Sequence, residues 1–212
     1  MNNLKIAVIS LDIAWNDSEE NLFAAEKALS QLDKNTDIAV LPELFTTGFI
    51  DNLAALSNSA EEFSESRTLA RLKDWAKNLN FAIAGTYLVK ENNKIYNRAF
   101  FVEPSGEATF YDKAHLFCQS SESTNFEEGD KTIPVVRYRG WNIALAVCYE
   151  VRFPAWLRNN DNKYDVLIIP ANWPTKRGYA WQHLLIARAI ENQAYIVGAN
   201  RSGTDDDGGV YT

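Results

Sequence analysis

The chain has 212 residues, 46% of them apolar and 23% charged, with a formal net charge of −7. That length supports one domain with a sizeable core, and an acidic balance whose densest run is "TDDDGG" argues against nucleic acid or an anionic membrane as partners. No apolar run approaches the ~20 residues of a spanning helix. "MNNLKIAVIS" carries no basic leader region, so no signal peptide is expected and the location read from the sequence is cytoplasmic. Two cysteines and two histidines offer no zinc-type spacing. Cys118 and Cys148 are expected to stay thiols, and neither metal nor cofactor is anticipated.

In chain order, "LKIAVIS" reads as a strand and "DSEENLFAAEKALSQLD" as a helix. In that helix Leu22, Ala25, Leu29 and Leu32 share one face, and Asp17 or Ser18 can cap the start. "DIAVLPE" is the next strand, and a second helix runs through Leu69, Leu72, Trp75 or Ala76, and Leu79. "FAIAGTYLV" and "YNRAFFVEP" are strands, the latter turning at Gly106 into "ATFYDK" as a hairpin. After a polar loop come "TIPVVRY", "NIALAVCYE", a short helix, "YDVLIIPAN", a helix through "WQHLLIARAIEN" and the strand "AYIVGANR". Strands and helices interleave with no repeat and no linker, which predicts a single layered α/β domain over 1–212. The sequence stops at "DDDGGVYT", a turn and a strand start, so a further C-terminal segment is expected beyond it.

Four residues with chemical potential follow apolar strands: Glu43 after "DIAVLP", Lys113 after "ATFYD", Cys148 after "NIALAV" and Asn172 after "VLIIPA". Strand ends are where layered α/β folds tend to place ligands. A cysteine is mostly protonated at neutral pH and needs a base or a cation to become a good nucleophile. Glu43 could take its proton, and Lys113 could stabilise the thiolate and a developing oxyanion. The set suffices for acyl transfer through a thioester. Each residue also has a plainer reading: packing for Cys148, a solvated turn for Glu43, a surface position for Lys113. A cysteine–histidine mechanism would use His115 or His183 as base. His183 fits better as a satisfied helix residue, and His115 ranks below Glu43.

"LPELFTTGF", "YDKAHLF" and "AVCYEVRFP", followed by "PANWP" and "RAIENQAYIVGANR", together resemble the glutamate, lysine and cysteine signatures of the nitrilase superfamily of carbon–nitrogen hydrolases. The resemblance implies a four-layer αββα sandwich, usually a homodimer joined through helices, in which Glu43 is the general base, Lys113 supports the tetrahedral intermediate and Cys148 forms the acyl-enzyme. It also implies a second glutamate in "SSESTNFEEGD", where Glu122 fits better than Glu127 or Glu128, and a backbone oxyanion donor at Tyr149. The motifs look most like the omega-amidase branch, which hydrolyses the terminal amide of 2-oxoglutaramate or 2-oxosuccinamate to the 2-oxo acid and ammonia. Such a substrate carries a carboxylate, for which Arg152, Lys176 and Arg177 are candidates; Arg152 is equally placed to pair with Glu150. Phe49, Trp173 and Tyr149 are candidate pocket walls. The alternatives are another amide substrate (deaminated glutathione or an N-carbamoyl amine) or a non-catalytic regulatory protein on the same scaffold. Related chains continue with a hairpin segment and a tail that crosses to the partner subunit, consistent with the expectation that this chain lacks that end.

Overall fold

The computed structural model describes residues 3–130 and 132–212, so the first two residues of "MNNLKIAVIS" lie outside it. Two β-sheets pack face to face, each covered outside by helices. The first sheet holds β1 (Ile6–Val8), β2 (Ile38–Val40), the two-residue β3 (Glu61–Glu62), β4 (Ala82–Glu91), β5 (Lys94–Val102) and β6 (Ala108–Asp112). Its order is β1-β2-β4-β5-β6, with β3 pairing beside the far end of β4. β1, β2 and β4 are parallel, and β4, β5 and β6 form an antiparallel meander. Helices α1 (Ser18–Ser30), α2 (Leu53–Ser59) and α3 (Arg67–Leu79) are interspersed with these strands. The short α4 (Glu122–Asn125) leads to the second sheet, made of β7 (Val135–Tyr138), β8 (Trp141–Leu145), β9 (Val166–Ala171) and β10 (Tyr195–Asn200) in the order β10-β9-β8-β7. Helix α5 (Gly178–Asn192) precedes β10, and a small hairpin of β11 (Gly203–Thr204) and β12 (Val210–Tyr211) follows it.

The apolar pattern of the sequence accounts for the layering. Leu22, Ala25 and Leu29 of α1 and Leu72, Trp75 and Ala76 of α3 pack onto Ile83, Val89 and Phe100 of the first sheet. The opposite face of that sheet presents Ile38, Val40, Ala84 and Phe101 to Val136, Ile143, Leu145 and Ile168 of the second. The outer face of the second sheet, Ala144, Leu167 and Ile169, is covered by Trp181, Leu184 and Leu185 of α5. β4 and β9 therefore need apolar residues on both faces, as continuous rather than alternating runs. The result is the αββα sandwich that the family resemblance implied.

Local signals also behave as read. Asp17 caps α1, its Oδ1 accepting from the Glu20 N–H at 3.1 Å, and Gly106 turns the β5–β6 hairpin at φ +87°. Two short helices went unread: α2, capped by Asn52, and α4, too short to show a period. The expected strand "NIALAVCYE" is the main correction. β8 stops at Leu145, and Cys148 to Arg152 form a 3₁₀ turn entered through a left-handed residue, Cys148 at φ +42°. A β-ladder cannot continue through that conformation.

Phe101 has no solvent exposure and lies between the two sheets. Phe101→Ala is expected to cost about 3–5 kcal/mol of unfolding free energy in urea titration, the usual range for emptying a close-packed aromatic site.

Candidate active site

The strand ends singled out in the sequence converge. Glu43 lies three residues past β2, Lys113 directly past β6, Cys148 three past β8 and Asn172 directly past β9. All four line one cavity of about 460 Å³, joined by Glu122 from α4.

Lys113 organises the floor. It is 2% exposed, and its Nζ donates to Glu43 Oε1 at 2.9 Å and to Glu122 Oε1 and Oε2 at 2.7 and 3.0 Å. Glu43 also accepts from Asn97 Nδ2 at 2.8 Å and from the Asn172 backbone N–H at 2.9 Å. Glu122 accepts from the Phe117 N–H at 2.7 Å. Burial alone would push the Lys113 ammonium toward neutrality, but Glu122 and Glu43 together outweigh it and raise its pKa well above 10.5. The lysine strand is pinned in turn by Gly129, whose N–H donates to the Lys113 carbonyl at 3.0 Å. A Cβ at Gly129 would stand 2.0 Å from the Asp112 carbonyl oxygen, so no larger residue fits this approach.

Cys148 faces this cluster from an elbow held by a second buried carboxylate. Glu150 has no solvent exposure. Its Oε2 accepts from the Val147 N–H at 2.7 Å, and its Oε1 accepts from Tyr111 Oη at 2.5 Å and the Ala114 N–H at 3.0 Å. One side chain thereby ties the residue before the cysteine to the residue after the lysine. A non-glycine residue at positive φ costs on the order of 1–3 kcal/mol and persists only where its surroundings enforce it. Here it turns the thiol out of the sheet. Burial first, then the Glu43 charge, raise the Cys148 pKa well above 9.0, against a smaller lowering by Lys113. The resting nucleophile is therefore a thiol beside a carboxylate, with a base in place to activate it. Tyr149, second in the 3₁₀ turn, has an N–H that no intrahelical acceptor can reach.

Phe49, Tyr149, Arg152 and Trp173 line the cavity as expected, and so does Arg177; Lys176 does not and is exposed. The alternative pairing of Arg152 with Glu150 is overturned, because the Glu150 oxygens are taken by Tyr111 and backbone N–H groups while the Arg152 guanidinium lies 5.1 Å over the Trp173 ring. Glu127 and Glu128 are exposed. Neither histidine lines the cavity: His115 packs on Phe153 and Trp156, and His183 bonds the Tyr179 carbonyl on α5. Among the described residues no group of three or more histidine, cysteine and carboxylate side chains is arranged to hold a metal ion.

Asn97 and Arg201 were missed, and Glu150 was considered only as a partner for Arg152. A lone asparagine inside "YNRAFF" and an acid directly behind the cysteine were the available signals. Arg201 lines the cavity with its Nη2 committed to the Ile13 carbonyl at 2.8 Å.

A buried thiol, carboxylate and ammonium at the joined ends of two stacked sheets define a class of thiol-dependent hydrolase. The chain belongs to the carbon–nitrogen hydrolase family, whose model matches residues 5–212. It is 40% identical over 211 residues to omega-amidase YafV of Escherichia coli (strain K12), covering 100% of this chain and 79% of that protein. It is 35% identical over 208 residues to 2-oxoglutaramate amidase of Bacillus subtilis (strain 168), covering 95% and 78%. The crystal structure of a CN-hydrolase superfamily protein from Xanthomonas campestris, with an arsenic adduct in its active site, superposes at TM-score 0.94 and 33% identity over 100% of this chain and 80% of that one.

The cluster predicts alkaline sensitivity. Cys148 and Lys113 hold their protons more tightly folded than unfolded. Above the ordinary thiol value of 9.0 the unfolded chain has released a proton that the native state keeps, so stability falls as pH rises, and Lys113 adds the same sign from 10.5. The urea midpoint should drop between about pH 8.5 and 10.5, less steeply in Cys148→Ala.

Proposed function

We propose that this chain is an omega-amidase, converting a 2-oxo acid ω-amide such as 2-oxoglutaramate or 2-oxosuccinamate to the 2-oxo acid and ammonia. The observation that carries the reading is the Cys148 thiol facing Glu43 and Lys113 in one cavity whose outer wall presents two arginines, Arg152 and Arg177. Omega-amidase and 2-oxoglutaramate amidase relatives at 35–40% identity support it.

In the proposed cycle Glu43 takes the Cys148 proton as sulfur attacks the amide carbon. The oxyanion forms between Lys113 Nζ and the Tyr149 N–H, both fixed before reaction. Glu43 returns the proton to nitrogen, the C–N bond breaks and ammonia leaves a thioester. Water then attacks the thioester carbon and gives Glu43 a proton, which passes to sulfur as the acid departs. Glu122 acts through Lys113, holding the ammonium charged and aimed. Phe49, Tyr149 and Trp173 wall the acyl chain.

The plainest test is the pair Cys148→Ala and Glu43→Gln. Cys148→Ala should abolish ammonia release from 2-oxoglutaramate while the fold, followed by circular dichroism, persists. Glu43→Gln should lose both half-reactions, so mass spectrometry should find no acyl-enzyme; turnover by Cys148→Ala would end this mechanism. Ammonia release across ω-amides, N-carbamoyl amines and deaminated glutathione separates the substrate readings.

The same proposal includes a single domain in the cytoplasm and a homodimer. Among the described residues no helix is long and apolar enough to cross a membrane. Tyr179 and Ile190 on α5 are 78% and 73% exposed, with Ile186 and Tyr195 beside them in sequence. Burying that apolar set against a second copy would remove its cost. Sedimentation equilibrium should give twice the chain mass, and Ile190→Glu should shift it toward the monomer.

A further inference from the structure

We propose that Arg177 determines specificity by binding the carboxylate of the substrate, an inference that rests on the omega-amidase reading. The amide end must lie at Cys148, beside the Glu43 and Glu122 carboxylates. A substrate carboxylate is repelled from that floor and has to extend toward the far wall. Away from the floor the lining carries Arg152, Arg177 and Arg201, with Lys176 next to Arg177 in sequence, and also Asp51, Asp205, Asp206 and Asp207, so only a cation not already paired with a carboxylate can receive another one. Lys176 does not line the cavity. Arg201 is buried, donates to the carbonyls of Ile13 and Ser202, and has Asp12 at 3.6 Å. Its Nε and Nη2 are thereby committed, and its charge already has a carboxylate beside it.

Arg152 and Arg177 have no carboxylate within 4.0 Å among the described residues, unlike Arg201. They differ from each other in placement. Arg152 is exposed and also lines a shallow outer cleft with His115 and Trp156. Arg177 is half-buried, with its guanidinium 5.2 Å over Phe117 and 6.0 Å over Trp173, two rings that also line the cavity. Its backbone is anchored, since Trp173 Nε1 donates to the Arg177 carbonyl at 2.9 Å. Trp173 is itself held at both backbone groups by Asn200, whose Oδ1 accepts from its N–H at 2.8 Å and whose Nδ2 donates to its carbonyl at 2.9 Å. A guanidinium stacked on aromatic faces keeps its edge donors free for a planar, bidentate partner, and a carboxylate is that partner. The open guanidinium on a rigid mount thus selects ω-amides that end in a carboxylate over neutral amides of the same length.

The test is the ratio of kcat/KM for 2-oxoglutaramate to kcat/KM for 4-oxopentanamide, which keeps the five-carbon chain and the oxo group and replaces only the carboxylate by methyl, measured in the wild type, Arg177→Met, Arg177→Lys and Arg152→Met. Met keeps the aliphatic contact with Phe117 and Trp173 without the charge. Arg177→Met should lower the ratio by about 10- to 100-fold, chiefly through KM, as expected for one lost charge-assisted pair. Arg177→Lys should lie between it and the wild type, keeping charge but not the fork. Arg152→Met should change the ratio by less than Arg177→Met. If both substrates decline together in Arg177→Met, leaving the ratio intact, or if the ratio collapses only in Arg152→Met, the assignment is overturned. A wild type that does not prefer 2-oxoglutaramate over 4-oxopentanamide overturns the omega-amidase reading itself, a result distinct from either.

Discussion

An ammonium with 2% exposure survives only with anions around it, and Lys113 has two, Glu43 and Glu122. Removing one partner of such a cluster leaves a buried charge uncompensated, which proteins tolerate poorly. The two carboxylates come from segments far apart in the chain, one beyond β2 and the other on α4. The ion cluster is thereby also a fold constraint: the loop after β6 must return over the lysine, and Gly129 lets it approach within contact of the Asp112 carbonyl.

The cluster also sets the state of the nucleophile. Burial first, and then the Glu43 carboxylate, outweigh the Lys113 ammonium and raise the Cys148 pKa, so the thiol keeps its proton at rest. A cysteine–histidine enzyme depends on a preformed thiolate; this site instead has a carboxylate next to a thiol. That fits a base that shuttles one proton from sulfur to nitrogen and later from water to sulfur. The proposed chemistry follows from charge balance, and it explains why neither histidine is needed in the cavity.

Cys148 is held by packing against backbone strain. Glu150 joins the elbow to the strand of Lys113 through Tyr111, Ala114 and Val147, so nucleophile and ammonium share one buried anchor. The outer wall is built differently, from aromatic rings with arginines lying over them. In the proposed reading the hydrogen-bonded floor serves bond cleavage and the arginine-bearing wall serves substrate choice.

How much of this was legible in the sequence depends on range. Continuous apolar runs such as "VLIIPA" and "AIAGTYLV" determined the buried strands, 3.6-residue spacing determined α1, α3 and α5, and Asp17 and Gly106 marked a helix start and a hairpin, all interactions between near neighbours. Glu43, Lys113 and Cys148 were visible because each interrupts an apolar run at its end, whereas Glu122 was reached only through the family resemblance of its segment. Tertiary structure alone decided which acid meets which base. Glu150 looked free to pair with Arg152, yet it faces inward because buried N–H groups near it had no other acceptor. Asn97 drew no reading from the sequence, and only the placement of β5 brings its Nδ2 to 2.8 Å from Glu43 Oε1. The positive φ of Cys148 has no local signature, and the Glu150 carboxylate two residues on, which bonds the Val147 N–H, is itself tied to Tyr111, 39 residues away. Sequence determines what each segment can bury; only the closed fold determines where a charge finds its partner, because electrostatic energy depends on distance in space and not along the chain.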